Sequence, residues 1–118
     1  MNKWYCDGST YKNGQIGQDS SYLIYNKDIQ RAHLGNYSIN YAEAYAILMA
    51  SEQAKDNDLI LTDSYCAFRW AINILKKPKY DFILGIRTNI ASKKLHLALI
   101  PRELNLAGIE IEMNPFYH

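Results

Sequence analysis

Three carboxylates interrupt segments that are otherwise apolar or aromatic, and their positions constrain the fold more than any other feature of the sequence. One ends an early apolar run, one lies within an alanine- and tyrosine-rich run, and one ends a short aliphatic run: Asp7, Glu43 and Asp63. An isolated carboxylate is costly to bury, and local conflicts of this kind often mark functional sites. We therefore expect the three side chains to meet and to hold a divalent metal ion.

The chain has the length and composition of a single domain spanning residues 1–118. Apolar and aromatic residues make up 48% of it, which is enough to build a hydrophobic core. No apolar run approaches the roughly 18 residues of a membrane span, and the first residues lack the apolar stretch of a signal peptide. Two cysteines do not make a disulfide framework. We therefore expect a cytoplasmic protein with reduced thiols and no membrane partner.

Basic residues are concentrated in the second half of the chain. The formal net charge is +1, so no global field attracts a polyanion. Residues 64–102, however, contain one acid, Asp81, against eight basic residues: Arg69, Lys76, Lys77, Lys79, Arg87, Lys93, Lys94 and Arg102. This local surface could meet the phosphates of nucleic acid, or it could be an ordinary solvated face.

Hydrophobic periodicity predicts a mixed α/β fold that begins with three strands. The predicted elements are strands 3–9, 15–25 and 29–35, a helix over 41–55, a strand over 59–63, helices over 67–75 and 89–100, and a strand over 108–113. This order, β-β-β-α-β-α-α-β, places a helical crossover between the third and fourth strands. It predicts one mixed sheet covered by helices.

Two of the carboxylates also have simple structural explanations. Glu43 shares a helix face with Ile47 and Ala50, which packs on the sheet, but an acid early in a helix also complements the helix dipole. Asp63 ends a buried strand, where open α/β sheets bind ligands, but it could instead cap the following helix. The repetition of the same conflict three times favours a metal site.

The three motifs occur in order in the matching elements: Asp-Gly-Ser at residues 7–9, Glu43 on the first helix, and Thr-Asp-Ser at residues 62–64. Over essentially its whole length the chain resembles the type 1 ribonuclease H family and the wider ribonuclease H-like fold, with its five-stranded mixed sheet. The resemblance implies a metal-dependent endonuclease that cleaves the RNA strand of an RNA–DNA hybrid. Asp7, Glu43 and Asp63 would be the catalytic metal ligands.

The chemistry agrees with this resemblance. Hydrolysis of a phosphodiester can use two divalent ions about 4 Å apart, which stabilise the attacking and leaving oxygens of an in-line displacement. Mg²⁺ prefers oxygen ligands and needs few protein carboxylates when substrate oxygens complete its shell. We therefore expect Mg²⁺ as the cofactor, with Mn²⁺ as an alternative.

The resemblance also implies which residues contact the substrate. Three polar residues fall where the family contacts nucleic acid: Thr10, Asn13 and Asn40. A basic protrusion found in some members is missing here, so the grip on the substrate would pass to a lysine cluster: Lys76, Lys77 and Lys79. Tyr65 stands where a glutamine is common in the family.

The end of the chain departs from the family pattern. The family has a fourth carboxylate beyond a histidine-containing loop that follows the final strand. Here His118 would be the loop histidine, and the fourth carboxylate with its helix would be absent. His118 is then either a disordered terminus or a catalytic residue near the site, acting through its imidazole or its terminal carboxylate. With one ligand fewer, activity should need high metal concentrations and favour Mn²⁺ over Mg²⁺.

Two other functions are compatible with the same fold, because fold alone does not fix function. One is a catalytically weak module that binds an RNA–DNA hybrid or RNA. The other is a different nuclease, such as a junction resolvase. We expect a monomer, and a dimer stays open as an alternative.

Overall fold

The computed structural model describes residues 1–13, 16–25, 28–35 and 37–113, with side chains for residues 1–9, 28–35 and 37–113. The described elements, in chain order, are β1 (Lys3–Asn13), β2 (Ile16–Tyr25), β3 (Asp28–Gly35), α1 (Ile39–Gln53), β4 (Leu59–Thr62), α2 (Tyr65–Ile72), α3 (Phe82–Lys93), β5 (His96–Leu99) and α4 (Arg102–Met113). None of the described helices has the length and apolar character needed to cross a membrane.

The strands form one mixed sheet in the order β3-β2-β1-β4-β5. The first three strands make an antiparallel meander, whereas β4 runs parallel to both β1 and β5. Helix α1 supplies the crossover from β3 to β4 that parallel pairing requires. The predicted mixed α/β class is confirmed. The parallel register, in which Tyr5 pairs with Leu61, sets Asp7 within β1 level with Asp63 at the carboxyl end of β4.

The main core lies between the sheet and the helices α1 and α3. Its largest fully buried apolar side chains come from one strand and two helices: Ile47, Ile60, Ile83 and Ile86. Small residues let α1 approach β1 closely, because a Cβ atom added to Gly8 would lie only 2.7 Å from the backbone nitrogen of Glu43. The second residue of the Asp-Gly-Ser motif is therefore a packing requirement.

Helix α4 packs near β1 through a different close contact. A Cβ atom at Gly108 would overlap the ring of Tyr5, so only glycine allows α4 to lie this close to β1. Ile109, next to Gly108, is buried. The start of α4 thereby lies near Asp7, since Arg102 and Asp7 line the same cavity.

A buried acid fastens the amino ends of β1 and β4. Asp58 is 2% exposed, and its carboxylate accepts hydrogen bonds from the backbone nitrogens of Asn2 and Lys55, both at 2.9 Å, and from the Trp4 indole at 3.1 Å. Burial acts to raise the pKa of Asp58, but these donors outweigh it and the pKa is lowered. The role of Asp58 is structural.

The predictions for the last third of the chain were wrong. Instead of a helix over 89–100 and a strand over 108–113, the chain forms α3, the edge strand β5 and then α4. The left-handed conformation of Lys94 (φ 53°) ends α3 early. The alternating residues 109–112 form a helix because Asn105, Gly108 and Ile109, at helical spacing, are buried on one face. The helix predicted to be absent is therefore present.

Candidate metal centre

The structure brings the three predicted carboxylates together. Asp7 lies on β1, Asp63 directly follows β4, and Glu43 reaches the same edge from the first half of α1. Each offers a carboxylate oxygen, and these three oxygens all lie within 4.8 Å of one another. Glu43 is buried, whereas Asp7 and Asp63 are half-buried. The cluster is therefore reachable from solvent and enclosed on its helix side.

Local structure excludes the simpler explanations of these acids. Ser64, not Asp63, caps α2, because the Ser64 hydroxyl accepts from the backbone nitrogen of Ala67 at 3.1 Å. Glu43 lies beyond the first turn of α1, and Ser38 caps that helix through the nitrogen of Tyr41. Neither acid serves as a helix cap, so another reason is needed for burying them.

Glu43 is held as a neutral acid when no cation is present. Burial raises the pKa of its carboxyl to about 9, helped by the charge of Asp7, a hydrogen bond with Asp7 and the charge of Asp63. The backbone nitrogen of Gly8 opposes this only in part. The cluster therefore carries a proton that a divalent cation could displace.

The residues present fit a divalent cation. The Oε2 atom of Glu43 is buried and has no hydrogen-bond partner among the described residues, which is costly unless a ligand completes the site. All three side chains offer hard oxygen donors, as Mg²⁺ prefers. The neighbouring Cys6 is not a ligand candidate, because burial and the charges of Glu43 and Asp7 raise the pKa of its thiol, which contacts the carbonyl of Ala46 at 3.6 Å.

A fourth polar residue reaches the cluster and was missed in the sequence. Asn105 on α4 is fully buried, and its amide nitrogen donates to the Oδ2 atom of Asp63 at 3.1 Å and to the carbonyl of Cys6 at 3.0 Å. The resemblance implied a fourth carboxylate on a helix after the last strand. Helix α4 follows the last strand, but the side chain that it brings to Asp63 is an amide. Its spacing with Gly108 and Ile109 was the available signal.

The cluster opens into a cavity of about 420 Å³. Besides the three acids, its lining includes Gly8, Ser9, Ile39 and Arg102. Arg102, the first residue of α4, is exposed and is the one cation among these lining residues. The site therefore combines an acidic floor with a cationic rim, an arrangement suited to a metal ion and a phosphate together.

The other predicted site residues are placed differently. Asn40 is exposed on the first turn of α1 but does not line this cavity. The side chains of Thr10 and Asn13 lie outside the described residues, as does the whole of His118. The roles of these four residues stay predictions.

The predicted lysine cluster lies in a second depression, which we call the cationic groove. This cavity of about 450 Å³ lies beside α2 and includes Tyr65, Trp70 and five basic residues in its lining: Arg69, Lys76, Lys77, Lys79 and Arg87. Arg87 fixes its shape by donating to the carbonyl of Trp70 at 2.8 and 3.1 Å and to that of Lys76 at 2.9 Å. The side chains of Lys76, Lys77 and Lys79 are exposed, so their ammonium groups are accessible to a ligand.

Comparison with known proteins identifies the fold. No protein-family model and no curated protein matches this sequence. Two solved structures of a foamy viral protease-reverse transcriptase, one in complex with dsDNA and one with an RNA/DNA hybrid, match with a TM-score of 0.72 and 18% identity. The match covers 95% of this chain and 88% of the first structure's chain, and 94% of this chain and 19% of the second's. This chain has a ribonuclease H-like fold.

Proposed function

We propose that this protein is a metal-dependent endonuclease that cleaves the RNA strand of RNA–DNA hybrids. The observation that carries the proposal is the convergence of Asp7, Glu43 and Asp63 at one sheet edge, with a buried Glu43 oxygen that has no partner among the described residues. The two foamy viral structures that share the fold were determined with nucleic acid, and one of them holds an RNA/DNA hybrid.

The chain's own residues have separate tasks in this proposal. Asp7, Glu43 and Asp63 hold the divalent ions, which when bound supply charge neutralisation and an activated water. Asn105 donates a hydrogen bond to the Oδ2 atom of Asp63. This bond would fix the orientation of the carboxylate and leave its other oxygen available to a divalent ion. Arg102, on the rim of the same cavity, is available to bind a phosphate oxygen of the substrate.

The cationic groove supports a nucleic-acid substrate. Its lysines are exposed on the loop after α2, whose backbone Arg87 restrains through the carbonyls of Trp70 and Lys76. Such contacts give affinity that does not depend on base sequence. In this proposal, selection of a hybrid over a DNA duplex would come from 2′-hydroxyl contacts, for which Asn40 is the described candidate.

A catalytically weak hybrid-binding module is the second candidate function. The observation that favours it is Asn105, since an amide occupies the place beside Asp63 where the resemblance implied a fourth carboxylate. With three carboxylates, the site holds one negative charge fewer to attract a second divalent ion. A protein that hydrolyses the hybrid only with Mn²⁺ or with high Mg²⁺ would be intermediate between an active endonuclease and a binding module.

A cleavage assay on matched substrates tests the proposal. A labelled RNA–DNA hybrid, a DNA duplex, a single-stranded RNA and a four-way DNA junction are incubated with Mg²⁺, Mn²⁺ or EDTA. We expect cleavage of the RNA strand of the hybrid alone, with either metal and not with EDTA. Asp56→Asn, which changes an exposed acid in the turn before β4, is the control variant and should behave like the wild type.

Three results would contradict the endonuclease proposal. Binding of the hybrid without cleavage under any metal condition would support the binding module. Cleavage of the junction but not of the hybrid would support a resolvase. Cleavage that persists in EDTA would exclude a metal-dependent reaction.

A further inference from the structure

Tyr65 is an exposed aromatic residue at the junction of the candidate metal centre and the cationic groove. It lies two residues after Asp63, at the first position of α2, and it lines the groove. Its side chain is 63% exposed, so much of the ring is accessible to a ligand. The position suggests that something passing from the metal centre into the groove would cross this ring.

Arg69 prepares the ring for stacking. Its guanidinium carbon lies 5.8 Å from the centroid of the Tyr65 ring, and its Nη1 atom donates to the Tyr65 hydroxyl at 3.2 Å. A cation thus lies beside the ring, within the range of a cation–π contact, and restrains its hydroxyl group. Because so much of the side chain is exposed, the opposite face is open to a flat partner.

The groove beyond the ring has the size and charge for a nucleotide. Its volume of about 450 Å³ is within the range of small-molecule sites and far too small for a duplex. Its described lining residues include five cations and no acid. An open aromatic face next to a group of cations is the combination with which proteins bind single-stranded nucleic acid.

A base inside a duplex cannot use the open face of Tyr65. In a double helix each base face is covered by its neighbours, and an A-form duplex presents only sugar hydroxyls and base edges in its accessible groove. Apart from the outer face of a terminal base pair, only an unpaired nucleotide has a free face for the ring. The groove therefore recognises a different part of the nucleic acid from the duplex that would enter the metal centre.

We propose that the cationic groove binds an unpaired nucleotide next to the hybrid, with its base stacked on Tyr65 and its phosphates on Lys76, Lys77 and Lys79. This inference rests on the proposed function for the duplex part of the ligand. It makes a hybrid that continues into a single strand the preferred substrate. Tyr65 thereby selects the ends and junctions of hybrids over their interior.

Binding measured in EDTA tests the inference without hydrolysis. Labelled hybrids of equal duplex length are compared by fluorescence anisotropy, either blunt or with a short single-stranded extension of RNA or DNA at each end in turn. For at least one extension we expect binding about tenfold tighter than for the blunt hybrid, the typical gain from stacking one base. The RNA and DNA arms show which strand enters the groove.

One modified substrate and four variants separate stacking from charge. Replacing the extension by abasic residues, or making Tyr65→Ala, should remove the tenfold preference, whereas Tyr65→Phe should keep it because the ring is retained. Lys77→Ala should weaken binding of the extended hybrid and lower its salt dependence by about one counterion. Lys55→Ala, an exposed lysine outside the groove, should leave binding unchanged.

The possible failures are distinguishable. Equal binding of blunt and extended hybrids by the wild type, or full preference in Tyr65→Ala, would overturn the inference and leave the proposed function standing. Preference that survives in the abasic extension would show that phosphates alone are recognised, and would also overturn it. A wild-type protein that binds no nucleic acid in any form would overturn both proposals.

Discussion

The two ends of the β1–β4 pair each bury a carboxylate, and they treat it in opposite ways. At the amino end, the carboxylate of Asp58 accepts three short hydrogen bonds, and its pKa is lowered. At the carboxyl end, Glu43 faces two further acids, its Oε2 atom has no partner among the described residues, and its pKa is raised to about 9. Burial is similar, at 2% and 7% exposure.

The two acids differ in whether the described residues complete their hydrogen bonding. Backbone and side-chain donors of the protein complete Asp58, so nothing further is needed there. At the other end the protein supplies acceptors in excess of donors, and only a cation or a proton can balance them. Donor supply, not burial, is therefore the criterion that distinguishes the two sites.

The largest expected difference between the two ends is in activity. Asp63→Asn should reduce hybrid cleavage by more than about a hundredfold, beyond the 10–100-fold typical when only an outer partner of a metal ligand is lost. It should leave the metal-free protein at least as stable, because repulsion within the cluster falls and the oxygen of the new amide can still accept from Asn105. Cleavage rates and urea unfolding measure the two effects. Near-normal cleavage would remove Asp63 from the catalytic set.

The amino end should respond in stability instead. Asp58→Ala leaves three donors without their acceptor, on Asn2, Trp4 and Lys55, and should lower the free energy of unfolding by about 3 kcal/mol. Cleavage per folded molecule should stay unchanged, because this end is remote from the cluster. If Asp58→Ala lost activity but kept its stability, Asp58 would have a functional role and not a structural one.

The two ends should also depend on pH with opposite signs. For Glu43 the folded pKa of about 9 exceeds the ordinary value of 4.5, so its contribution to stability is complete at low pH and is lost as the pH rises from 4.5 towards 9. For Asp58 the folded pKa is below the ordinary 3.8, so its contribution is lost as the pH falls below that value.

Metal-free unfolding measured across this range checks both signs. In a plot of the free energy of unfolding against pH, Glu43→Gln should remove only the decline at alkaline pH. Asp58→Asn should remove only the decline at acid pH. Divalent ions should bind more tightly as the pH rises towards 9, because they displace the Glu43 proton. An alkaline decline that is unchanged in Glu43→Gln would show that the proton lies elsewhere.

The smallest expected effect is on Mg²⁺ affinity at the carboxylate cluster. Asn105→Ala removes the donor that orients Asp63 and should weaken Mg²⁺ binding about tenfold, as measured by calorimetry. Asn89→Ala is the matched control, since that asparagine also lies on a helix and donates to a side chain, the hydroxyl of Ser51 at 3.0 Å. If both variants bind Mg²⁺ as tightly as the wild type, Asn105 has no positioning role.

The clustering of the three carboxylates could be predicted from the sequence because these acids conflict with local rules. Asp7, Glu43 and Asp63 stand in strands and a helix whose type is clear from periodicity, and parallel strand ends meet at one edge. The candidate site was therefore visible as three violations of the hydrophobic pattern. The first two thirds of the fold followed from the same periodicity, apart from strand and helix ends, with β1 extending to Asn13.

Asn105 and the last third of the fold could not be predicted in this way. Residues 109–112 alternate like a strand, whereas the helix buries Asn105, Gly108 and Ile109 on one face through tertiary contacts. Strand β5 has four residues and little pattern. A neutral amide such as Asn105 creates no visible conflict in an amphipathic segment, although it is fully buried in the structure.

The hydrogen bond between Asn105 and the carbonyl of Cys6 links residues 99 positions apart, and this separation has a consequence for the order of folding. All three carboxylates belong to residues 7–63, so a growing chain that has reached β4 already possesses them. Contacts that close so long a loop form late. Until α4 docks, a nascent chain could trap cations but would lack the restraint on Asp63. The proposed nuclease competence would thus be timed to the docking of this last described helix.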